Sequence, residues 1–341
     1  MKYVKLGNTG SDVSVVSLGC WPFAGDSFWG PQKDSDSINT VAAALDVGIN
    51  FFDTAEGYGE GGRSEAVLGE ALKGRRDKAV IATKINPDFM GELGHMPGDK
   101  VKVAAEGSLK RLQTDYIDLY YIHWPSDVVP MDETLDAMAE LKKQGKIRAA
   151  GICNYGVKNL ATLAKYKDSD FVVAHQLPYS LLWRAIEFEI MQKTLEQEMG
   201  LICYSPLAQG LLTGLYKDEA STPDYIKNTR FFHHKRVNAA HGEEGVEEEV
   251  YASIAKLQDM ANGLGLSMAE MSLAWLFAQE GVVSVLAGSR HPSEIIENAK
   301  AADIILPEEA LKELSVVTEG VKDKLGKNPD MWVEAANTRF K

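Results

Sequence analysis

The stretch Ile117–His123, IDLYYIH, is apolar almost without interruption, and Val282–Gly288, VVSVLAG, repeats the pattern near the other end of the chain. A strand with one wet face alternates apolar and polar residues. A continuous short run belongs to a strand covered on both faces, as in a parallel sheet with helices outside. Six further runs complete a set with these two: Val15–Cys20, Asn50–Thr54, Ala79–Thr83, Ile147–Ile152, Phe171–Gln176 and Leu201–Ser205, the strands of the first two being read as Ile117–His123 and Val283–Ala287. Amphipathic stretches separate them. This βαβα rhythm predicts a parallel sheet, and eight such strands favour closure into a (β/α)8 TIM barrel of the α/β class.

The helix boundaries agree with that frame. Asp34 and Asp36 precede NTVAAALDVG with Gly48 after it, and Pro307 with two glutamates opens LPEEALKEL. Two additions stand out. KYVKLGNTGSDVS reads as an N-terminal β-hairpin turning at Asn8-Thr9-Gly10-Ser11 and capping the barrel bottom. After the seventh strand, residues 206 to about 246 form a long, charge-mixed loop, expected to act as a lid. No repeat, low-complexity tract or Pro/Gly/Ser linker divides the chain, so residues 1–341 are expected to form a single domain.

Composition narrows the function. The 341 residues contain no apolar run approaching the length of a membrane span, so no membrane partner is expected. The start, Lys2-Tyr3-Val4-Lys5, alternates like a strand instead of resembling an export signal, which makes the cytoplasm the expected location. The net charge of −13 argues against nucleic acid as a partner, because phosphate neutralisation needs clustered Lys and Arg. Cys20, Cys153 and Cys203 are too scattered for a disulfide framework or a zinc cluster and read as buried thiols. Oligomeric state is open.

Barrel enzymes place their chemistry at the carboxyl ends of the strands. Four ionisable residues stand there: Asp53 in NFFDTAEGY, Tyr58 in the loop after it, Lys84 at the end of VIATK, and His123 at the end of YYIHWP. Each alone has an ordinary explanation as a turn former, a packed ring, a snorkelling cation or a satisfied imidazole. Three successive strand ends carrying Asp, Lys and His, with a Tyr five residues past the Asp, are harder to assign to chance.

Several segments in order resemble the aldo-keto reductase family over nearly the whole chain: GINFFDTAEGYGEGGRSEAVLGEAL, SLKRLQTDYIDLYYIHWP, GICNY, AHQLPYS, YSPLAQGLLTG and GSRHPSEIIEN. The resemblance implies an oxidoreductase that moves a hydride between a nicotinamide cofactor and a carbonyl or alcohol substrate (aldehyde, ketone or sugar), with Asp53, Tyr58, Lys84 and His123 as catalytic residues. Residue chemistry suits those roles. A free phenol has a pKa of about 10, and the Lys84 ammonium is expected to lower it so that Tyr58 can give a proton. Asp53 is expected to hold Lys84, and His123 to hydrogen-bond the substrate oxygen.

Gly57-Tyr58-Gly59-Glu60-Gly61-Gly62 fits GxGxxG but is not read as a dinucleotide fingerprint. It follows the second strand, and Lys84 stands where that fingerprint needs an acidic residue. By resemblance the cofactor lies instead across later strands. Cys153, Asn154 and Gln176 are expected at the nicotinamide carboxamide, Tyr204 on its ring, and Trp21 and Asp53 beside it. Ser205, Pro206, Leu207 and Gln209 are expected along the pyrophosphate, and Gly288, Ser289, Arg290, Glu294, Glu297 and Asn298 at the adenosine end. A helix start offers free N–H groups to an anion there, and Arg290 adds a guanidinium matched to phosphate. NADP(H) is therefore favoured, with NAD(H) within reach because Glu294 can repel a 2′-phosphate or accept ribose hydroxyls.

Substrate contacts are expected from Trp21, Tyr58, His123 and Trp124, with Phe23, Phe28, Trp29, Tyr179 and Trp332 as further candidate walls. His233-His234 and His241 lie in the long loop without a carboxylate or cysteine at helical metal spacing, so no metal is expected. Two alternatives accompany the reductase reading: a non-catalytic cofactor-sensing regulatory subunit, and a sugar oxidoreductase or epimerase that retains its cofactor beneath the long loop.

Overall fold

The computed structural model describes residues 1–26, 29–85, 98–127, 129–167, 169–236 and 238–341. The chain starts with an antiparallel pair, β1 (Tyr3–Lys5) and β2 (Asp12–Ser14), joined through the expected turn, where the Leu6 N–H donates to the Ser11 carbonyl at 2.9 Å. Eight strands follow: β3 (Val16–Gly19), β4 (Phe51–Asp53), β5 (Val80–Ile85), β6 (Ile117–Ile122), β7 (Ile147–Cys153), β8 (Val172–Pro178), β9 (Gly200–Tyr204) and β10 (Val282–Gly288). All pair in parallel, and β10 closes onto β3 to make a barrel in sequential order. The expected strands are all present; β8 runs two residues further than expected, and β6 stops at Ile122, leaving His123 just beyond it.

Helices form the outer layer between strands: α1 (Asp34–Asp46), α2 (Arg63–Ala71), α3 (Gly98–Leu112), α4 (Met131–Lys143), α5 (Val157–Leu163), α6 (Ile190–Leu195), α7 (Glu247–Leu264), α8 (Met268–Phe277) and α9 (Pro292–Lys300). After the barrel come α10 (Glu308–Val317) and α11 (Glu319–Leu325). Among the described residues, no helix is long and apolar enough to cross a membrane.

The apolar surface divides into two cores. One fills the space between strands and helices; the other fills the barrel with Phe51, Val80, Leu119, Tyr121, Val173 and Ile202 among its members. Every residue of β6 and of β8 is buried, which is why their runs do not alternate. The one charge inside β6, Asp118, is neutralised by Arg76 at 2.6 Å and accepts the Ile81 N–H at 2.9 Å. Gly151 makes room for Tyr121, because a β-carbon there would lie 2.4 Å from the Tyr121 ring. Leu6 and Val13 of the hairpin join the interior core, so the hairpin plugs the bottom and leaves the opposite end as the mouth.

The long loop after β9 is firmly packed in its middle. Phe231 and Phe232 are fully buried, and the Arg230 guanidinium donates to the carbonyls of Asn328, Asp330 and Leu325 while pairing with Glu243. That loop and the C-terminal segment therefore hold one another. Leu6→Ala, which removes part of the plug, is expected to lower unfolding free energy by about 2–5 kcal/mol, whereas Val4→Ala on the exposed hairpin face should stay within about 0.5 kcal/mol; urea denaturation of both variants checks this.

Candidate active site

Side chains alternate along a strand, so residues two apart share a face. Phe51 and Ala82 both belong to the interior core, and β4 pairs with β5 so that Asp53 lies beside Ala82. Asp53 and Lys84 are each two residues further on, and both therefore turn into the barrel near its mouth. There the Lys84 ammonium, completely buried, donates to Asp53 Oδ1 at 2.5 Å, to the Thr54 carbonyl at 2.8 Å and to the Tyr58 hydroxyl at 3.1 Å. Three acceptors match its three N–H donors.

Tyr58 reaches this point because its loop is tied down. Ser64 Oγ donates to the Cys20 carbonyl and bonds Thr54 Oγ1 at 2.8 Å, and the Ser64 N–H donates to the Tyr58 carbonyl. Gly59 has φ +82°, and a β-carbon there would sit 3.1 Å from Ala24, so this glycine serves the loop's close approach to the turn after β3. Arg63 secures that turn through the carbonyls of Ala24 and Gln32 and the Asp34 carboxylate.

Burial and charge oppose one another here. Burial pushes the Tyr58 phenol up to about 12, and the Lys84 cation only partly offsets it. The expected lowering of this phenol is thus corrected: the cation pulls in the expected direction, but loss of water outweighs it. Although burial works against its charge, Lys84 is held above its ordinary range by Asp53 and Tyr58 and stays an ammonium. The Asp53 carboxyl is raised by burial, against the pull of Lys84 and Gln176. His123 falls well below its usual range through burial and the nearby cations Lys84 and Arg339, so its imidazole is neutral. Its Nδ1 is covered and has no hydrogen-bond partner among the described residues.

A polar girdle surrounds the four. Gln176 donates to Asp53 Oδ2 at 2.8 Å; the Tyr204 hydroxyl donates to Asn154 Oδ1 at 2.9 Å, and Asn154 Nδ2 donates to the His123 carbonyl at 3.0 Å. The Cys153 side chain is buried in the interior core, where its thiol is raised by burial. Above them runs an aromatic arc: Trp29 meets Trp21 edge-on at 5.6 Å, Trp21 stacks on Tyr58 at 5.7 Å, Tyr58 meets His123 at 5.8 Å, His123 stacks on Trp124 at 6.4 Å, and Phe340 abuts Trp124 at 5.6 Å.

Not every candidate wall belongs to this arc. Phe23 is fully buried in the outer core, and Tyr179 is buried against Trp275 with its hydroxyl on Glu187, so neither lines the mouth. Phe28 lies outside the described residues. Trp332 stays near the arc, 5.9 Å from the Arg339 guanidinium.

The segments expected to hold a dinucleotide carry unusual backbone. Asn154, Ser205, Ala208 and Gln209 all have φ between +46° and +62°, although none is glycine. Such conformations are sparsely populated and collect at ligand sites, and Gln209 also leaves a buried side-chain oxygen without a partner among the described residues. Pro206 is buried and Leu207 half-buried beside them. These features fit a bound dinucleotide running past β9.

At the far end, Gly288 and Ser289 lead into α9, with Ser289 Oγ accepting from Asn298 at 3.4 Å and Glu297 paired to Lys300. The N–H groups of Arg290 and His291 donate to Glu294 Oε2 at 2.6 and 3.4 Å, so a carboxylate of the chain already caps this helix start. The Arg290 guanidinium donates to Gln32 Oε1 and the Pro31 carbonyl, while Gln32 Nε2 donates to the Arg290 carbonyl. Gln32 escaped the sequence reading because 258 residues separate the partners.

In the long loop, folding brings Glu244 to His233, with Nε2 and Oε2 2.8 Å apart and His234 adjacent, a proximity that helical spacing does not reveal. His233 Nδ1 accepts the Lys235 N–H, which places the imidazole proton on Nε2, toward the carboxylate.

With this geometry in view, relatives can be compared. Residues 15–319 match the Aldo/keto reductase family. The chain is 32% identical over 333 residues to aldo-keto reductase YhdN of Bacillus subtilis, covering 96% of each chain. It is also 32% identical over 323 residues to the NADH-specific methylglyoxal reductase of Escherichia coli, covering 90% of this chain and 95% of the relative. A Klebsiella pneumoniae aldo/keto reductase solved in complex with NADP and acetate superposes with a TM-score of 0.75 at 27% identity, covering 97% of this chain and all of that one. A barrel closed in sequential order, a buried Asp–Lys–Tyr constellation at its mouth and a family match across most of the length agree: the chain belongs to the aldo/keto reductase family.

Proposed function

We propose that this protein catalyses the reversible, nicotinamide-dependent reduction of a small aldehyde or ketone to an alcohol, with Tyr58 as the proton donor. The observation that carries the reading is the Lys84 ammonium placed 2.5 Å from Asp53 and 3.1 Å from the Tyr58 hydroxyl. When bound, the reduced nicotinamide supplies the hydride. The protein's share is to hold the carbonyl and complete its oxygen with a proton. A carbonyl oxygen seated between the Tyr58 hydroxyl and His123 meets a neutral phenol and a neutral imidazole, both capable of hydrogen bonding. As negative charge grows on that oxygen, Tyr58 passes its proton to it, and the adjacent Lys84 cation stabilises the phenolate that remains. Asp53 keeps Lys84 protonated and aimed. In the alcohol-oxidising direction the phenolate takes the proton back.

The dinucleotide is proposed to lie across the ends of β7 to β10, with Asn154 and Gln176 near the nicotinamide, Tyr204 along its ring, and Ser205 to Gln209 along the pyrophosphate. The strained backbone there and the partnerless Gln209 oxygen support this placement. NADP(H) is the favoured cofactor, in line with the NADP complex of the Klebsiella relative, and NAD(H) is the alternative represented by the Escherichia coli relative. Glu294 is the residue that sets the balance, because its carboxylate holds the helix-start N–H groups that a 2′-phosphate would otherwise use.

Three measurements test this reading. Tyr58→Phe should lower turnover of reduction by about 10² to 10⁴ while dinucleotide affinity, read by quenching of tryptophan fluorescence, stays near wild type; turnover close to wild type would remove Tyr58 as the acid. Because burial holds Tyr58 protonated up to about 12 and His123 neutral well below its usual range, neither titrates near neutrality. The reductive kcat/KM of the free enzyme should then be flat from about pH 6 to about pH 9, and an inflection inside that window would point to a different acid. Finally, Glu294→Gln should raise the NADPH-to-NADH ratio of kcat/KM by about tenfold, the value of one charge-assisted contact, and Arg290→Ala should reduce it; an unchanged ratio in both places the 2′-phosphate elsewhere.

A further inference from the structure

The aromatic arc ends in a cation. The guanidinium of Arg339 lies 4.1 Å above the Trp124 ring, and Trp124 stacks on His123. Arg339 is therefore no farther from the His123 ring than these two contacts laid end to end. It acts electrostatically on both His123 and Tyr204, as expected for a charge over the mouth between β6 and β9.

Its orientation is fixed from behind. Asp330, fully buried, accepts from Arg339 Nε at 2.7 Å and Nη2 at 2.8 Å, a side-on bidentate pair, while the Arg339 side chain is 34% exposed. The carboxylate is the inner member and the guanidinium the outer one. Asp330 is itself held by its loop: Asp330 Oδ1 accepts the Trp332 N–H, and the Asp330 carbonyl accepts from Arg230. The segment carrying Arg339 is anchored further along, where Phe340 abuts Trp124, the Lys341 carbonyl accepts the Asn159 N–H of α5, and Lys341 pairs with Asp127.

A guanidinium offers two edges that can each grip a pair of oxygens. Asp330 occupies the Nε/Nη2 edge. Among the described residues no hydrogen bond takes the Nη1/Nη2 edge, and about a third of the Arg339 side chain is exposed, whereas Asp330 is fully buried. A bidentate donor set, preorganised by a buried carboxylate and sandwiched on an indole, suits a carboxylate or phosphate better than a neutral hydroxyl. In a chain of net charge −13, a fixed local cation is also what would draw an anion to the mouth.

We propose that Arg339 is a specificity-determining residue that binds an anionic group of the substrate, so that the preferred substrates are short aldehydes or ketones carrying a carboxylate or phosphate a few carbons from the carbonyl. This rests on the carbonyl-reductase reading above and adds to it the class of compound reduced.

Matched pairs of carbonyls test it. Reductive kcat/KM is compared for succinic semialdehyde against butyraldehyde and for glyceraldehyde phosphate against glyceraldehyde, in wild type, Arg339→Gln and Arg339→Lys. Wild type should favour at least one anionic member by about 10- to 100-fold, the value of a charge-assisted pair of contacts, mainly through KM. Arg339→Gln should bring the ratio near unity, and Arg339→Lys, which keeps the charge but not the fork, should fall between. The arm with the larger preference tells carboxylate from phosphate. No anionic preference in wild type, or one that survives Arg339→Gln, overturns the proposal while leaving carbonyl reduction intact. Calorimetric titration with succinate and with butanediol reads the same site without turnover: succinate should bind in wild type, more weakly in Arg339→Lys and not in Arg339→Gln, with each variant's cooperative unfolding lying above the titration temperature. If no carbonyl is reduced at all, the reductase reading fails, and Arg339-dependent succinate binding still upholds the anion site. Succinate binding that ignores Arg339 sinks it.

Discussion

An ammonium group with no access to water is the constraint around which the mouth of this barrel is organised. Removing Lys84 from solvent carries a desolvation penalty of several kcal/mol, and the structure offsets it with a carboxylate, a backbone carbonyl and a phenol. None of the three can be supplied by a neighbour in sequence. Asp53 and Thr54 come from the adjacent strand and its exit, and Tyr58 from a loop that must bend back over that exit. The parallel register of β4 and β5, the Ser64 ties and the close approach at Gly59 can all be understood as conditions for satisfying one buried cation.

The same arrangement explains why the polar girdle is continuous. Asp53 uses one carboxylate oxygen on Lys84, and its other oxygen is taken by Gln176 from the far side of the barrel. Asn154 receives the Tyr204 hydroxyl and donates to the carbonyl of His123, tying β7 and β9 to the residue after β6. Satisfied networks of this kind rigidify a site. Two of the buried polar atoms without a partner among the described residues, His123 Nδ1 and Gln209 Oε1, belong to candidate substrate and dinucleotide residues respectively.

Much of this was legible from the residues, for a physical reason. Strands covered on both faces must be apolar throughout, so IDLYYIH and VVSVLAG announce their place, and a polar turn such as Asn8–Ser11 announces a hairpin. The strand-end positions of Asp53, Lys84 and His123 follow from the same reading. What could not be read depends on distance through space. The sign of the Tyr58 shift is decided by how much water the surrounding fold removes, which a list of neighbouring charges does not contain. Phe23 and Tyr179 lie close to strand ends in sequence yet face the outer core. Gln32 beside Arg290, Glu244 beside His233, and the Asp330–Arg339 pair at the mouth all join segments whose contact depends on the folded chain.

The charges at the mouth also bear on the chemistry. Around neutral pH Tyr58 and His123 are both uncharged, so in the proposed reaction the cation nearest the reacting oxygen, among the described residues, is Lys84 on the side of the phenol. In the proposed reduction, the alkoxide-like oxygen that develops from the carbonyl would meet a fixed ammonium one hydrogen bond away, through the phenol. Stabilisation of this kind grows with the charge being formed and is small before it appears, so it lowers the barrier more than it tightens binding of the starting carbonyl. On that proposal, binding strength for the substrate would come from elsewhere on the mouth, where the aromatic arc ends in Arg339.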